Sequence, residues 1–222
     1  MKPIADQIRD LRKAEALSEL YQPRRAAALL DGRQPALRKF AADFIGRQAP
    51  LLYLEFGVAF GASITNIKDL FTHPDSVFVG FDSFTGLPEP WLMHDRGAFS
   101  NNGMPPVLND PRVRFVKGWF QNTLPDYVTG IERDLRPNVL IHYDADLYSS
   151  TLFVLTMLWR HIPRYYFMMD DFVQDDVIAL RDFAVAYPVE IEFFAQTVGG
   201  NNNPDQVFGR MTRVELSIDA DR

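Results

Sequence analysis

Residues 51–64 read LLYLEFGVAFGASI, and the reading of this stretch decides the fold. Leu51 to Phe56 is apolar except for Glu55. A short apolar run closed by a turn residue suits a strand buried on both faces. Gly57 follows at once, then Gly61 and Ser63, and a helical pattern runs from Ala62 to Phe71. Strand, glycine turn and helix start together aim backbone N–H groups and the positive helix end at a bound ligand. Glu55 falls at the end of the strand, the edge at which open parallel sheets bind ligands. A lone glycine motif is weak evidence, because a buried strand with a tight turn reads the same way.

Outward from this stretch, apolar runs alternate with helical patterns. Strands are predicted over Ser76–Phe81, Val113–Lys117, Val139–Tyr143 and Tyr165–Met169. Helices are predicted around Leu124–Val128, Leu147–Ile162 and Val173–Tyr187. Strands separated by helices imply an α/β fold with a doubly wound parallel sheet. Two last strands, Glu190–Phe194 and Gln206–Leu216, are joined by a Gly199–Pro204 loop and suggest an antiparallel pair at the edge. Upstream, Met1 to Arg47 reads as two or three helices, broken at Pro23 and at Asp31-Gly32. Ile4, Ile8 and Leu11 share one helix face there, as do Leu37, Phe40, Ala41 and Phe44. Packing is the first expectation for this region; a lid or a dimer contact are the others. No linker divides the chain, so 1–222 is read as one domain, with 51–222 as its core and 1–50 as a helical extension.

The 222 residues suffice for one domain with a full core. No apolar run approaches the ~20 residues of a membrane span, and the N-terminal residues lack the apolar segment expected of a signal peptide. With no cysteine there is no disulfide framework and no thiolate chemistry, and a cytoplasmic location is the default expectation. Residues 1–50 carry +4 and the remainder −10. An acidic body argues against a nucleic-acid groove and suits a cationic ligand or a metal.

The chemistry lies in acids at strand ends. Asp144, Asp146, Asp170 and Asp171 each follow an apolar run, and adjacent parallel strands bring them to one edge with Glu55 and Asp82. Carboxylates so close repel one another unless a cation sits among them. Asp144, Asp170 and Asp171 therefore form a candidate site for a hard divalent ion such as Mg²⁺. Asp146 is a candidate general base. Helix capping explains one acid of each pair and explains two acids at both strand ends poorly. Asp82 lies where a second-strand acid reaches ribose hydroxyls, although a solvated turn aspartate is an equal reading. Thr85 to Pro111 is rich in Pro, Gly and Asn and holds Trp91, Met93, His94, Arg96 and Phe99. So long a loop reads as an active-site flap or as a mere insertion.

The segments LEFGVAFGAS (54–63), VGFDSFTGLPEPW (79–91), VKGWFQNTLP (116–125), HYDADLYSST (142–151) and MMDDF (168–172) are collinear. On them the chain resembles the macrocin O-methyltransferase (TylF-type) family. These are class I S-adenosylmethionine-dependent enzymes that include sugar methyltransferases of antibiotic biosynthesis. The resemblance implies a Rossmann-like seven-stranded sheet with a reversed last strand, a donor pocket and an Mg²⁺ site. Glu55, Gly57 and Ser63 would hold the methionine part of the donor. Asp82 and Ser83 would accept the ribose hydroxyls, and Gly118, Trp119 and Phe120 would lie by the adenine. Asp144, Asp170 and Asp171 would bind the metal, with Asp146 as base. The implied acceptor is a small molecule, a sugar or glycoside diol, and a homodimer is plausible. The N-terminal part is short for the family and carries none of its motifs, and the loop from Leu92 to Asp110 matches only loosely.

Two other functions compete. A nicotinamide-dependent oxidoreductase would use a similar sheet, but its fingerprint wants a glycine where Ala59 stands. A non-catalytic S-adenosylmethionine-binding protein would have no need of the full set of acids.

Overall fold

In the computed structural model, residues 3–20, 28–30, 34–198 and 204–215 are described. In chain order the elements are α1 (Ile4–Leu20), β1 (Ala28–Leu30), α2 (Gln34–Ile45), β2 (Leu51–Phe56), α3 (Ala62–Leu70), β3 (Val77–Asp82), β4 (Val113–Lys117) and α4 (Phe120–Val128). Then come β5 (Asn138–Tyr143), α5 (Tyr148–Trp159), β6 (Arg164–Met169), α6 (Val177–Ala186), β7 (Val189–Val198) and β8 (Pro204–Arg213).

All six residues of β2 are buried, as an apolar run without alternation requires of a strand covered on both faces. β2 lies inside one sheet, between β3 and β5, in the order β4-β3-β2-β5-β6-β8-β7-β1. Among the described residues β8 alone is antiparallel to its neighbours, β6 and β7. The seven expected strands and the reversed last strand are therefore present. The Gly199–Pro204 loop between the last two lies outside the described residues as far as 203.

The eighth strand corrects the sequence reading. Ala28–Leu30 was expected in a helix but pairs in parallel with Ala195–Thr197 of β7. Few residues separate Pro23 from Asp31-Gly32, too few for a stable helix, and β7 offers an open ladder of backbone groups.

The sheet's pleat sorts its side chains. Leu52, Leu54 and Phe56 join one core layer with Phe81, Ile141, Tyr143 and Phe167, beneath α4, α5 and α6. Leu51 and Tyr53 join the other, with Phe78, Leu140 and Met168, beneath α2 and α3. Each fully buried Phe contributes about 1.5–3 kcal/mol. The period of two also carries Glu55, His142 and Asp170 to the α2–α3 side of the sheet, because β2 pairs Glu55 with His142 and β5 pairs His142 with Met168.

The apolar stripe on α1 does not pack as expected. Ile4, Ile8 and Leu11 are exposed. The opposite face docks instead: Arg9 clasps Asp175, Lys13 Nζ donates to Gln174 Oε1 at 2.8 Å, and Arg12 donates to Asp182 at 2.6 Å. Charge pairing with the turn at Phe172–Asp176 and with α6, together with Ala16, Leu17 and Leu20 packed into the core, sets the orientation of the helix. No described helix is long and apolar enough to cross a membrane.

The long loop after β3 is folded on itself. Trp91 and His94 exchange backbone hydrogen bonds at 2.9 and 2.8 Å, and Gly97 N donates to Leu87 O at 2.9 Å. Gly86, at φ 88°, permits this closure: a Cβ there would lie 2.3 Å from the carbonyl oxygen of Gly97.

Candidate active site

A cavity of about 1080 Å³ opens over the carboxyl ends of β2, β3, β5 and β6. Its floor is the turn Gly57–Ala59, with Asp82 and Ser83 from the end of β3. Trp119 and Phe120 supply one wall, and Asp144, Asp146 and Asp171 another. The loop closes over it with Trp91, His94, Arg96 and Phe99, so this segment is part of the cavity and not an insertion remote from it.

The turn is shaped by one acid. Asp82 Oδ2 accepts hydrogen bonds from Val58 N and Ala59 N, both at 2.8 Å, and Oδ1 accepts one from Phe84 N at 2.7 Å. Gly57, at φ 96°, lets the turn lie against the backbone after β5. Ser83 uses its hydroxyl locally, accepting from Thr85 N at 3.1 Å. Gly118 lies behind the wall, at the bend that aims Trp119 and Phe120 inward.

Glu55 and Ser63 are behind the floor. Glu55 is fully buried; its Oε1 accepts from Ser63 Oγ at 2.6 Å and its Oε2 from Tyr53 Oη at 2.5 Å. Both residues brace the turn from beneath and neither lines the cavity.

On the acid side, burial raises the Asp144 carboxyl well above its usual range, and the charge of Asp170 adds to it. Asp146 is pushed up to about 7 by burial and by the charges of Asp171, Asp170 and Asp82. Burial and the Asp170 charge also raise Asp171. Asp146 and Asp171 both hold left-handed backbone, at φ 62° and 48°. Such strain in non-glycine residues gathers at functional sites.

Asp170 is buried and faces two cationic groups. Its Oδ1 lies 3.2 Å from His142 Nε2 and its Oδ2 4.0 Å from the Arg38 guanidinium of α2. His142 is fully buried; burial alone would depress its pKa, but the facing carboxylates of Asp170, Glu55 and Asp144 raise it to about 10. One ligand atom each of His142, Asp144 and Asp170 lie within 4.8 Å of one another. Asp171, expected beside Asp144 and Asp170, lines the cavity but stands outside that group.

The six acids thus divide. Asp82, Asp144, Asp146 and Asp171 line the cavity, while Glu55 and Asp170 are buried behind it and are joined through His142. Tyr53, His142 and Arg38 were missed from the sequence. For His142 a signal existed: it precedes Asp144 by two residues, on the same strand face.

A parallel sheet with one reversed strand, a glycine turn at its central strand and acids around a carboxyl-edge cavity define a Rossmann-like domain of the kind that binds nucleoside cosubstrates. The model of the macrocin O-methyltransferase (TylF) family matches residues 20–192, and the chain belongs to that family. One relative is the 8-demethyl-8-(2,3-dimethoxy-α-L-rhamnosyl)-tetracenomycin-C 4′-O-methyltransferase of Streptomyces olivaceus, 32% identical over 144 residues, 55% of this chain and 51% of that protein. Another is the demethyldecarbamoylnovobiocin O-methyltransferase of Streptomyces niveus, 27% identical over 160 residues, 62% of this chain and 58% of that protein. The chain thus spans a little over half the length of the curated relatives it matches. The solved O-methyltransferase NovP shares the fold with a TM-score of 0.55 at 20% identity, over 95% of this chain and 100% of that one.

Proposed function

We propose that the protein transfers a methyl group from S-adenosylmethionine to a hydroxyl of a small molecule, a sugar or glycoside diol. Family membership supports methyl transfer over hydride transfer. Both relatives are named O-methyltransferases, and the rhamnosyl group in the name of the Streptomyces olivaceus protein supports the acceptor class. The observation that carries the reading is Asp146: a strained, cavity-lining carboxyl raised to about 7, beside a glycine turn built for a nucleoside.

In this reading the donor lies along Gly57–Ala59, its ribose toward Asp82 and Ser83 and its adenine by Trp119 and Phe120. Glu55, Ser63 and Gly118 hold that surface in shape from behind. The acidic lining suits a cationic sulfonium. Asp146 takes the proton of the acceptor hydroxyl, and the oxygen attacks the methyl carbon in line as the sulfur leaves. Holding both partners in that alignment supplies much of the acceleration. Asp144 and Asp170, with Asp171 nearby, are the residues that would hold a divalent cation such as Mg²⁺. Burial, with the charge of Asp170 added, raises both Asp144 and Asp171, and a cation beside them would favour their charged forms, so these residues fit one. A bound divalent ion supplies Lewis acidity toward the acceptor oxygen. Asp144→Ala should abolish turnover and leave calorimetric binding of S-adenosylhomocysteine nearly intact. Methylation at the wild-type rate in EDTA would remove the metal from this reading.

A further inference from the structure

We propose that the acceptor carries an anionic group, a carboxylate or a phosphate, beside its hydroxyls, and that Arg96 of the flap reads that group. The inference rests on the acceptor reading given above and narrows it from sugars at large to acidic ones.

The cavity's charges are unequal. Five carboxylates line it, those of Asp82, Glu89, Asp144, Asp146 and Asp171. Among the described residues, Arg96 is the one lysine or arginine that does so. It forms no ion pair with any of them, nor with any other described residue. A guanidinium among carboxylates that pairs with none keeps its donors for a ligand. A solvated surface arginine is the plain alternative, and two features of the flap count against it.

The first is that Arg96 stands on fixed backbone. Ala98 N donates to Asp95 O at 3.0 Å and closes a tight turn with Arg96 in its second position. Gly97, at φ 86°, takes the third position, where such a turn accepts a positive φ. Leu87 N donates to Ala98 O at 3.0 Å and Gly97 N to Leu87 O at 2.9 Å, so the turn is tied to the start of the flap.

The second is an unmet donor in the same wall. Trp91 is 6% exposed and lines the cavity, and its Nε1–H is buried with no hydrogen-bond partner among the described residues. The indole nitrogen can only donate, and a buried donor left unmet is costly. An oxygen-rich group bound at the flap would satisfy it. His94 stacks on the indole and packs on Phe99, with centroids 5.9 and 4.7 Å away, which holds the ring in place.

Charge then gives the acceptor a direction. An anion is repelled by Asp144, Asp146 and Asp171 and attracted to Arg96. Its acidic group goes to the flap, and its uncharged hydroxyls are left to face Asp146. The planar guanidinium offers paired N–H groups, which match the paired oxygens of a carboxylate or a phosphate. At about 1080 Å³ the cavity exceeds the ~300–1,000 Å³ usual for one ligand, so it has room for this acceptor beside the donor.

The test is calorimetric and needs no turnover. Wild-type protein, with and without S-adenosylhomocysteine, is titrated with nitrophenyl glucuronide, with glucosyl phosphate and with neutral nitrophenyl glucoside. At least one anionic probe should bind ~10-fold or more tightly than the neutral one. Preference for the glucuronide identifies a sugar acid, and preference for the phosphate identifies a phosphorylated sugar. The preference should shrink as salt is raised. Arg96→Gln should bring the ratio within about twofold and leave S-adenosylhomocysteine affinity unchanged. Arg96→Lys should recover part of the ratio, and Arg133→Gln, a cation lost outside the cavity, should not alter it. Anionic probes no tighter than the neutral one, or a ratio that survives Arg96→Gln, overturn the proposal. So does a parallel loss of S-adenosylhomocysteine binding, which would assign Arg96 to the donor's own carboxylate. Failure of S-adenosylhomocysteine to bind the wild-type protein would end the transfer reading instead; the anion preference is also read without it and stands or falls separately.

Discussion

Gly57 and Asp144 meet backbone to backbone: a Cβ on Gly57 would lie 1.8 Å from the carbonyl oxygen of Asp144. The floor of the cavity and its acid wall are thereby held at a fixed spacing, and no other residue type fits at position 57. Gly57→Ala adds this clash to the cost of a positive φ. A loss of at least ~2 kcal/mol is expected, or a fall of roughly 4–8 °C in Tm for a chain of this size. Donor affinity, measured by calorimetry with S-adenosylhomocysteine, should fall with it. A Gly57→Ala variant that melts and binds like wild type would mean that the turn sits farther from β5.

Asp146 carries a pH signature in both activity and stability. As a base it must be deprotonated, so kcat/KM should rise with pH to a plateau above about 7. Asp146→Asn should lower kcat ~10²–10⁴-fold and remove that limb. The stability effect has the opposite slope. The folded-state pKa lies above the ordinary carboxylate value of 3.8, so between about pH 4 and 7 the native protein holds more protons than the unfolded chain. Stability therefore falls as pH rises through that window. Thermal melts of Asp146→Asn should exceed wild type at pH 8 and match it near pH 3.5. Equal melting at both values would remove the raised pKa.

The segment from 51 to 172 was legible because its physics is local. Strands buried on both faces give unbroken apolar runs, and the chain places its acids where those runs stop. What was not legible depends on partners far away in the chain. Ala28–Leu30 is a strand only because β7 presents an open edge to it. The stripe Ile4, Ile8, Leu11 has helical period, but period alone does not say which face of α1 finds a partner; Arg9, Arg12 and Lys13 meet acids and Gln174, Ala16 is buried beside them, and that stripe is left outside. Glu55 ends its strand as expected, yet strand register turns it toward Tyr53 and away from the cavity. His142 gains its place from the pairing of β5 with both β2 and β6, which no single stretch of sequence displays.

Trp91 should decide the acceptor and not the donor. It lies in the flap, is almost wholly buried, lines the cavity and stacks on His94 with centroids 5.9 Å apart and planes 13° apart. The donor surface proposed above shares no residue with it. Trp91→Ala should therefore raise the acceptor KM by ~10-fold or more, as loss of a buried aromatic contact does. Binding of S-adenosylhomocysteine should stay within about twofold of wild type. Parallel loss of both affinities would show that the flap also covers the donor.

Arg9 links the N-terminal helix to the acid wall. Its guanidinium clasps both oxygens of Asp175, which is nearly buried, one turn beyond Asp171. Removing the arginine leaves that carboxylate without its partner in a poorly hydrated place. Breaking a buried pair costs about 3–5 kcal/mol; Arg9 is partly exposed, so about 1–3 kcal/mol is expected for Arg9→Ala. Arg9→Ala with Asp175→Ala should recover part of the loss, since no charge is then stranded. Because Asp175 belongs to the turn that follows Asp171, the single variant should also lower kcat more than it changes donor affinity. Denaturant titrations of the two single variants and the double variant would measure the coupling. A coupling near zero would mean that α1 is held by its other contacts, among them Lys13 with Gln174, Arg12 with Asp182 and Glu19 with Arg181, and that Arg9 adds nothing to the wall.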